Sequence, residues 1–496
     1  MFLNPYKNSP GNLSALARLI GPVVALLALA SAAPAAVWNV STFGELRGAA
    51  LGADPGDEIL IAPGSYHVTS SLYVTTRDLV FRGVSGNRDD VVLYGNGMNT
   101  NSGVLEGFWT AANGIELHNL TIKDFWHHGV HVCDDQATGN LADDVVISNV
   151  KIQNCGERYI KGSGNGTSSN VLVENVHFLQ TEAYLPRFGH SVDEYNYIGG
   201  IDAMHTDNWI IRDNRFEGIM GAANGGRGAI FLWVGATNPT IERNVIVGCA
   251  EGINLGNGYN PTGTWHVEGG IVRNNFIGWG GGDNRPVQLG YTKDVKFYNN
   301  TIYTETNYNR AVHVYDTASI PTTNLVLENN LIRGAIVDGS TGAFTLTNNI
   351  TGAAVDPTWF VDPLASDLHL TPAATAAIDQ ATTLPEVPKD IDRGPRPYGD
   401  FPDMGADEYG SPMGDINYDG KVDGGDYTIW ADNYGQSGVG WSGGDLNGDG
   451  VVDGGDYTLW ADNYGYGTGG EAAIPEPMTL ALLGVGGVLC LARKRR

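Results

Sequence analysis

The sequence predicts an all-β chain wound as a parallel β-helix solenoid, coil stacked on coil, with a small α-helical module behind it. Three observations carry that expectation. Short apolar, β-branched runs ending in Asn recur roughly every thirty residues between positions 115 and 349. Gly supplies 69 of the 496 residues, about twice the usual ~7% share, as suits a chain that turns sharply many times. Near the C-terminus an acidic segment, residues 414–426, returns as residues 444–456.

The runs share one grammar. Ile115-Glu116-Leu117-His118-Asn119 is followed by Val146-Ile147-Ser148-Asn149, Leu172-Val173-Glu174-Asn175 and Ile210-Ile211-Arg212-Asp213-Asn214. The series continues through Asn244, Asn275, Asn300, Asn330 and Asn349, with Asn-to-Asn spacings of 30, 26, 39, 30, 31, 25, 30 and 19. Alternation within a run marks a strand, and the Gly, Asn and Asp between runs mark turns. A period of this length is one coil of a solenoid. Asn side chains stacked at one corner can hydrogen-bond from coil to coil, satisfying amides that would cost ~1–3 kcal/mol each if buried unpaired. The column is therefore expected to hold the fold rather than to form a site.

Residues 55–66, opening on Pro55-Gly56-Asp57-Glu58 and closing on Pro63-Gly64-Ser65-Tyr66, resemble the first coil of right-handed parallel β-helix proteins of the pectate-lyase-like superfamily. Residues 390–396 and 403–409 are similar to that superfamily's C-terminal cap. The resemblance implies a β-helix domain over residues 36–410. It leaves the activity open, because one fold hosts lyases, hydrolases, epimerases and adhesins.

With 55 acidic against 29 basic residues, the net charge of −26 argues against nucleic acid, since a phosphate-tracking surface needs clustered Lys and Arg. The basic cluster that exists is the last four residues. Four Cys in so long a chain exclude a disulfide scaffold. Residues 1–35 combine Lys7 and Arg18, an apolar run from Leu19 to Ala30 and the small-residue site Ala33-Pro34-Ala35, which reads as a secretory signal peptide cleaved before Ala36. At the other end Pro475-Glu476-Pro477, the apolar run 478–492 and the basic terminus resemble a PEP-CTERM sorting signal over residues 474–496. That resemblance implies processing by an exosortase-type enzyme, membrane contact through this segment before processing, and delivery to the cell surface or extracellular matrix. Cys490 leaves with the tail, so Cys133, Cys155 and Cys249 allow one bridge at most.

Residues 411–466 form a separate unit, joined to the tail by a linker at 467–473. Each acidic copy spaces its oxygens at loop positions 1, 3, 5, 9 and 12, with Gly at 6, the EF-hand spacing for Ca²⁺. The ligands are Asp415, Asn417, Asp419, Asp423 and Asp426, then Asp445, Asn447, Asp449, Asp453 and Asp456, with the carbonyls of Lys421 and Val451 at position 7. A short helix bearing Trp430 or Trp460 follows each loop. Two such loops with one helix each resemble a type I dockerin, which implies two Ca²⁺ ions and a cohesin-like partner. Gly424-Gly425 and Gly454-Gly455 stand where cellulosomal dockerins carry polar recognition residues. Crowded aspartates of this kind should fold only around metal.

Equivalent residues of successive coils lie ~4.8 Å apart, so a face can be read down the sequence. Alignment of the strands after each Asn turn puts His131, Lys161, Asp202, Phe231, Asn254, Gln288 and His313 outward between apolar neighbours. Three residues on come Asp134, Gly164, His205, Val234, Asn257, Tyr291 and Asp316. The longest step, 175 to 214, inserts Tyr184, Arg187, His190, Asp193, Glu194, Tyr195 and Tyr197 beside these coils, a candidate groove wall. Two function classes fit. In one, a solvated groove cleaves an acidic or complex polysaccharide by β-elimination, with Lys161 as base, His131 or His205 as acid or base partner, Arg158 or Arg227 clamping the uronate carboxylate, and Asp134 or Asp202 as support or Ca²⁺ ligand. A glycoside hydrolase on the same fold ranks behind it, since Asp134 and Asp202 stand two coils, ~10 Å, apart. In the other class the surface binds matrix glycan without chemistry, with Phe231, Trp233 and Tyr315 stacking on sugar rings and Asn254 and Gln288 hydrogen-bonding.

Overall fold

The computed structural model describes residues 35–133, 139, 141–163, 166–187, 193–279, 281, 285–410, 413–417, 421–437, 439–440, 443–446 and 451–466. The expected signal peptide up to residue 34, the expected linker and sorting segment, and Asp134, Gly164, His190, Asp419, Asn447 and Asp449 lie outside the described residues. Among the described residues no helix is long and apolar enough to cross a membrane.

Strands pair in parallel from coil to coil, beginning with Val37–Val40 on Glu58–Ile61 and Glu58–Ile61 on Val80–Gly83. Helix α1 (Phe43–Gly52) packs Leu46, Ala49 and Ala50 into the apolar core at this end. Its start is fixed by a capping box: the Thr42 hydroxyl accepts from the Glu45 N–H, and the Glu45 carboxylate accepts from the Thr42 N–H. Inside the coils, Ile, Val, Leu and Phe stack in register in one continuous core. Cys133, Cys155 and Cys249 are buried free thiols there, with no bridge between them. Burial pushes the Cys249 thiol up to about 12, which keeps it protonated and inert.

The Asn corner is two columns, one residue apart, rather than one. Glu174 pairs with Arg212, Arg212 with Glu242, and Glu242 with Arg273. Asn175 is therefore equivalent to Asp213, Arg243 and Asn274, all left-handed at φ of 50° to 56°. The residue after them forms a buried ladder: Asn214 Nδ2 donates to Asn244 Oδ1 at 2.9 Å, Asn244 to Asn275 at 2.9 Å, Asn275 to Asn300 at 2.9 Å, Asn300 to Asn330 at 3.2 Å and Asn330 to Asn349 at 2.8 Å. Asn119 and Asn149 belong with Asn175, so the single column expected from the sequence slips by one residue at the long insertion. Both positions favour Asn for different reasons: one tolerates positive φ, the other needs a donor and an acceptor together.

The segment expected to cap the C-terminal end instead runs along the side of the later coils. Asn274, Asn299 and Asn329 donate to the carbonyls of Lys389, Asp403 and Thr382. Phe360, Leu368, Met404 and Ala406 form a second apolar cluster there with Phe276 and Leu331. Burial pushes Glu408 up to about 7, although Arg396 beside it favours the carboxylate. Behind it, helices α2 (Gly424–Asp432) and α3 (Gly454–Asp462) brace each other. The Trp430 indole donates to the Asp453 carbonyl at 3.0 Å, and the Trp460 indole to the Asp423 carbonyl at 3.1 Å.

Candidate functional site

One face carries the predicted column. Its strands are β1 (Leu72–Val74), β2 (Phe108–Thr110), β3 (His128–Cys133), β4 (Arg158–Ser163), β5 (Gly199–Met204), β6 (Ile230–Trp233), β7 (Ile253–Leu255), β8 (Val287–Gly290), β9 (Thr301–Tyr315) and β10 (Leu331–Gly339). Alternation buries Val130, Val132, Ile160, Ile201 and Ala203 and turns the residues between them away from the core. Lys161 pairs with His131 and Asp202, Phe231 with Asp202 and Asn254, and Gln288 with Asn254 and His313. The face also has a second row that alternation conceals. Pairing passes from Arg158–His128 to Ile160–Val130, skipping Gly129 and Tyr159. A Cβ on Gly129 would meet Ile152 Cγ2 at 2.5 Å, and Tyr159 is fully buried, so both skipped residues turn inward. His128 and Arg158 are thereby returned to the same side as His131 and Lys161.

Two charge clusters result. In the first, Arg158 Nε donates to Asp202 Oδ2 at 2.5 Å, while Lys161 Nζ and the Trp233 indole donate to Oδ1, each at 3.0 Å. Burial alone would push the Asp202 carboxyl up, but the Lys161 ammonium and the Arg158 guanidinium outweigh it and hold it far below the usual carboxylate range. In the second, His131 Nδ1 lies 3.1 and 3.3 Å from the two oxygens of Glu106, and His128 Nε2 lies 3.8 Å from Oε1. The Trp109 ring sits 4.5 Å from that of His131. Burial, then the charges of His131 and Lys161, holds His128 neutral well below the ordinary imidazole range. Sequence reasoning missed Glu106 and His128. The signal available was the repeated spacing His128-x-x-His131 and Arg158-x-x-Lys161, which puts two polar residues on matching rungs.

The register brings His131, Lys161 and Asp202 together, but among the described residues these side chains do not line an open solvated groove. Asp202 is 3% exposed, Arg158 2% and Phe231 4%. Arg158 is no open carboxylate clamp, because Asp202 takes it from one side and the Tyr197 ring covers it at 4.0 Å. Lys161 is no ready base, because a base must surrender its proton and this ammonium is held by Asp202. Phe231 is no platform for sugar, since it stacks on Trp233 at 5.5 Å and lies buried. At the insertion, Arg187 lies against the coil rather than standing in a wall: it stacks on Trp126 at 3.7 Å and donates to the Met98 carbonyl and the Glu157 carboxylate. Arg227 is more open and lies 3.6 Å from Asp193. His205 sits at the corner beyond β5 with φ of 53°, turned toward Gly235 rather than joined to either cluster by a described contact. Asn254 and Gln288 both donate to the buried Glu251 carboxylate. Tyr315 stacks on His313 at 5.3 Å, and burial pushes its hydroxyl up. Cavities of about 460 and 1150 Å³ open elsewhere, and neither is lined by a residue of the column.

In the C-terminal module, Asp426 is fully buried and accepts from the N–H groups of Ile416, Asn417 and Asp423. Asp456 repeats this with Leu446 and Asp453. Asp423 and Asp453 cap α2 and α3. Burial, with the Asp415 charge adding to it, pushes the Asp426 carboxyl up. Asp415, Lys421, Asp445 and Val451 are described beside them. The donors described there are carboxylate and carbonyl oxygens, a type that suits a hard divalent cation.

Comparison with known proteins bears on the fold. No curated protein matches the chain. Among solved structures the chain is similar to an alginate lyase from Paenibacillus sp. str. FPU-7, with 14% identity, 64% of this chain and 99% of that one covered and a TM-score of 0.40. It is similar to pectate lyase Pel9A, with 13% identity, 75% and 96% covered and a TM-score of 0.48. The Dettilon tailspike protein matches at 11% identity over 61% and 62%, with a TM-score of 0.38. A family model described as a right handed beta helix region matches residues 102–282, the stretch that holds both charge clusters, and the parallel coils seen there are accordingly a right-handed β-helix.

Proposed function

We propose that the chain is an exported, surface-sorted protein that cleaves an acidic polysaccharide by β-elimination at rungs β3 to β5. The observation that supports this reading is a cation and a carboxylate-oriented imidazole on adjacent rungs. Elimination beside a uronate carboxylate needs a positive charge near the developing anion, a base for the C5 proton and a donor for the leaving oxygen. Lys161 is 13% exposed, more open than Arg158 or Asp202, and on this reading it supplies the charge. Glu106 holds a proton on His131 Nδ1, which makes Nε2 the basic nitrogen. Arg227 at the edge is the second carboxylate contact, and His205 is the proton-donor candidate. A hydrolase reading is weaker, because Asp202 is committed to two cations. The burial of Arg158 and Asp202, which keeps both off a substrate, favours a second reading, a non-catalytic glycan-binding or structural surface protein.

Full-length protein incubated with uronate polymers is expected to release unsaturated product, followed by ultraviolet absorbance. Lys161→Ala should lower the rate about 100-fold or more with unchanged circular dichroism. Polymer binding with no unsaturated product would replace the lyase reading by the binding one. For the C-terminal module we propose two Ca²⁺ ions, a cohesin-like partner and exosortase-type processing of the tail, on the strength of loop spacing, oxygen donors and the sorting-signal pattern.

A further inference from the structure

We infer that Glu106, His128 and His131 form a binding site for a zinc-class divalent cation on the face of the β-helix. This goes beyond the lyase reading, and binding is independent of it. The argument begins with charge. Glu106 is 6% exposed, and a buried carboxylate needs a cation. Among the described residues neither Lys nor Arg pairs with it; its ionic contacts are the two imidazoles, His131 at 3.1 Å and His128 at 3.8 Å. His128 is 7% exposed, its Nδ1 is a buried atom with no hydrogen-bond partner, and its Nε2 stands beyond hydrogen-bond reach of Glu106. The fold itself makes little use of this ring's polarity.

Geometry fits the same conclusion. The three donor atoms lie within 4.8 Å of one another. Ligands bonded at ~2.0–2.1 Å in a tetrahedron sit ~3.4 Å apart, a value bracketed by the separations of 3.1 and 3.8 Å. Two imidazoles and one carboxylate make a borderline donor set that selects Zn²⁺ and its transition-metal neighbours over Ca²⁺. The inward-turned Gly129 between them is what brings both histidines to one side, so the backbone builds the convergence. Metal at His131 Nδ1 requires the neutral tautomer with its single ring proton on Nε2, so on binding that proton moves from Nδ1 to Nε2. On the lyase reading, the metal then removes the base and zinc inhibits.

The test uses the full chain with Ca²⁺ in excess, so that the C-terminal loops are filled, and titrates Co²⁺ as a spectroscopic probe and Zn²⁺ by equilibrium dialysis. The expected result is visible absorption typical of four-coordinate Co²⁺, reversed by one equivalent of Zn²⁺, and one equivalent fewer of bound Zn²⁺ in Glu106→Gln and in His128→Gln. A wild-type chain that shows no four-coordinate Co²⁺ signal overturns the proposal whether or not the variants fold. Equal Zn²⁺ retention by folded variants and wild type also overturns it, and leaves protonated His131 as the counter-charge of Glu106. Lyase activity plays no part in this readout, so a failed lyase assay leaves it intact.

Discussion

At the residue scale the chemistry of the face turns on Asp202. Its two oxygens collect Arg158, Lys161 and the Trp233 indole, so one carboxylate makes two cations compatible with a nearly closed surface. Asp202→Asn keeps the shape and removes the charge, leaving Arg158 buried beside a neutral amide. Breaking a buried pair in this way costs about 3–5 kcal/mol, and denaturant unfolding of the variant should show a loss of that size. The pH dependence has a definite sign. The folded-state carboxyl is held below its ordinary value of 3.8, so the unfolded chain takes up the proton first as pH falls. The stabilisation is complete above that ordinary value and is lost only on strong acidification. On the proposed lyase reading, the same pairing makes Lys161 an electrostatic partner and leaves proton transfer to the imidazole beside Glu106.

At the element scale, the Asn ladder and the flanking segment hold the coils in register. Asn275 donates to Asn300 and to the carbonyl of Ile241, and accepts from Asn244. Asn275→Ala would leave those buried partners unsatisfied at ~1–3 kcal/mol each, which a shift in the urea midpoint should register. The flanking segment is tuned to mild acid. Glu408 has its folded value raised to about 7 from an ordinary 4.5, so the folded chain holds a proton that the unfolded chain has released. Stability there is full below about 4.5 and falls as pH rises towards 7. Melting followed from pH 4.5 to 8 is expected to show this flank loosening at the alkaline end, and a shallower profile in Glu408→Gln would assign its share, the remainder belonging to the buried Asp407, raised to about 6.

At the scale of the whole molecule, a long β-helix core and a small C-terminal apolar cluster share one chain. The β-helix has a continuous apolar core, whereas the C-terminal module buries Ile416, Val422, Leu446 and Trp460 and little else. On the proposed two-Ca²⁺ reading, a core that small would rely on metal. Chelation of Ca²⁺ should abolish one calorimetric transition and leave the β-helix transition in place; a single transition unmoved by chelator would contradict it. Coils, their period and the outward column from His131 to His313 were legible in the sequence, because alternation and a thirty-residue period are local properties that neighbouring residues enforce on one another. What it could not show is the slip between Asn175 and Asp213, since an insertion changes the count without changing the pattern. Nor could it show that the face is closed, or that His128 and Glu106 meet His131. Those depend on an inward turn at Gly129 and Tyr159 and on loops folding back over the rungs, where contacts between residues distant in the chain outweigh local preference. Pattern along the chain determined the scaffold and its acidic loops; packing in three dimensions decided which charges pair, which are covered, and therefore which atoms remain for chemistry.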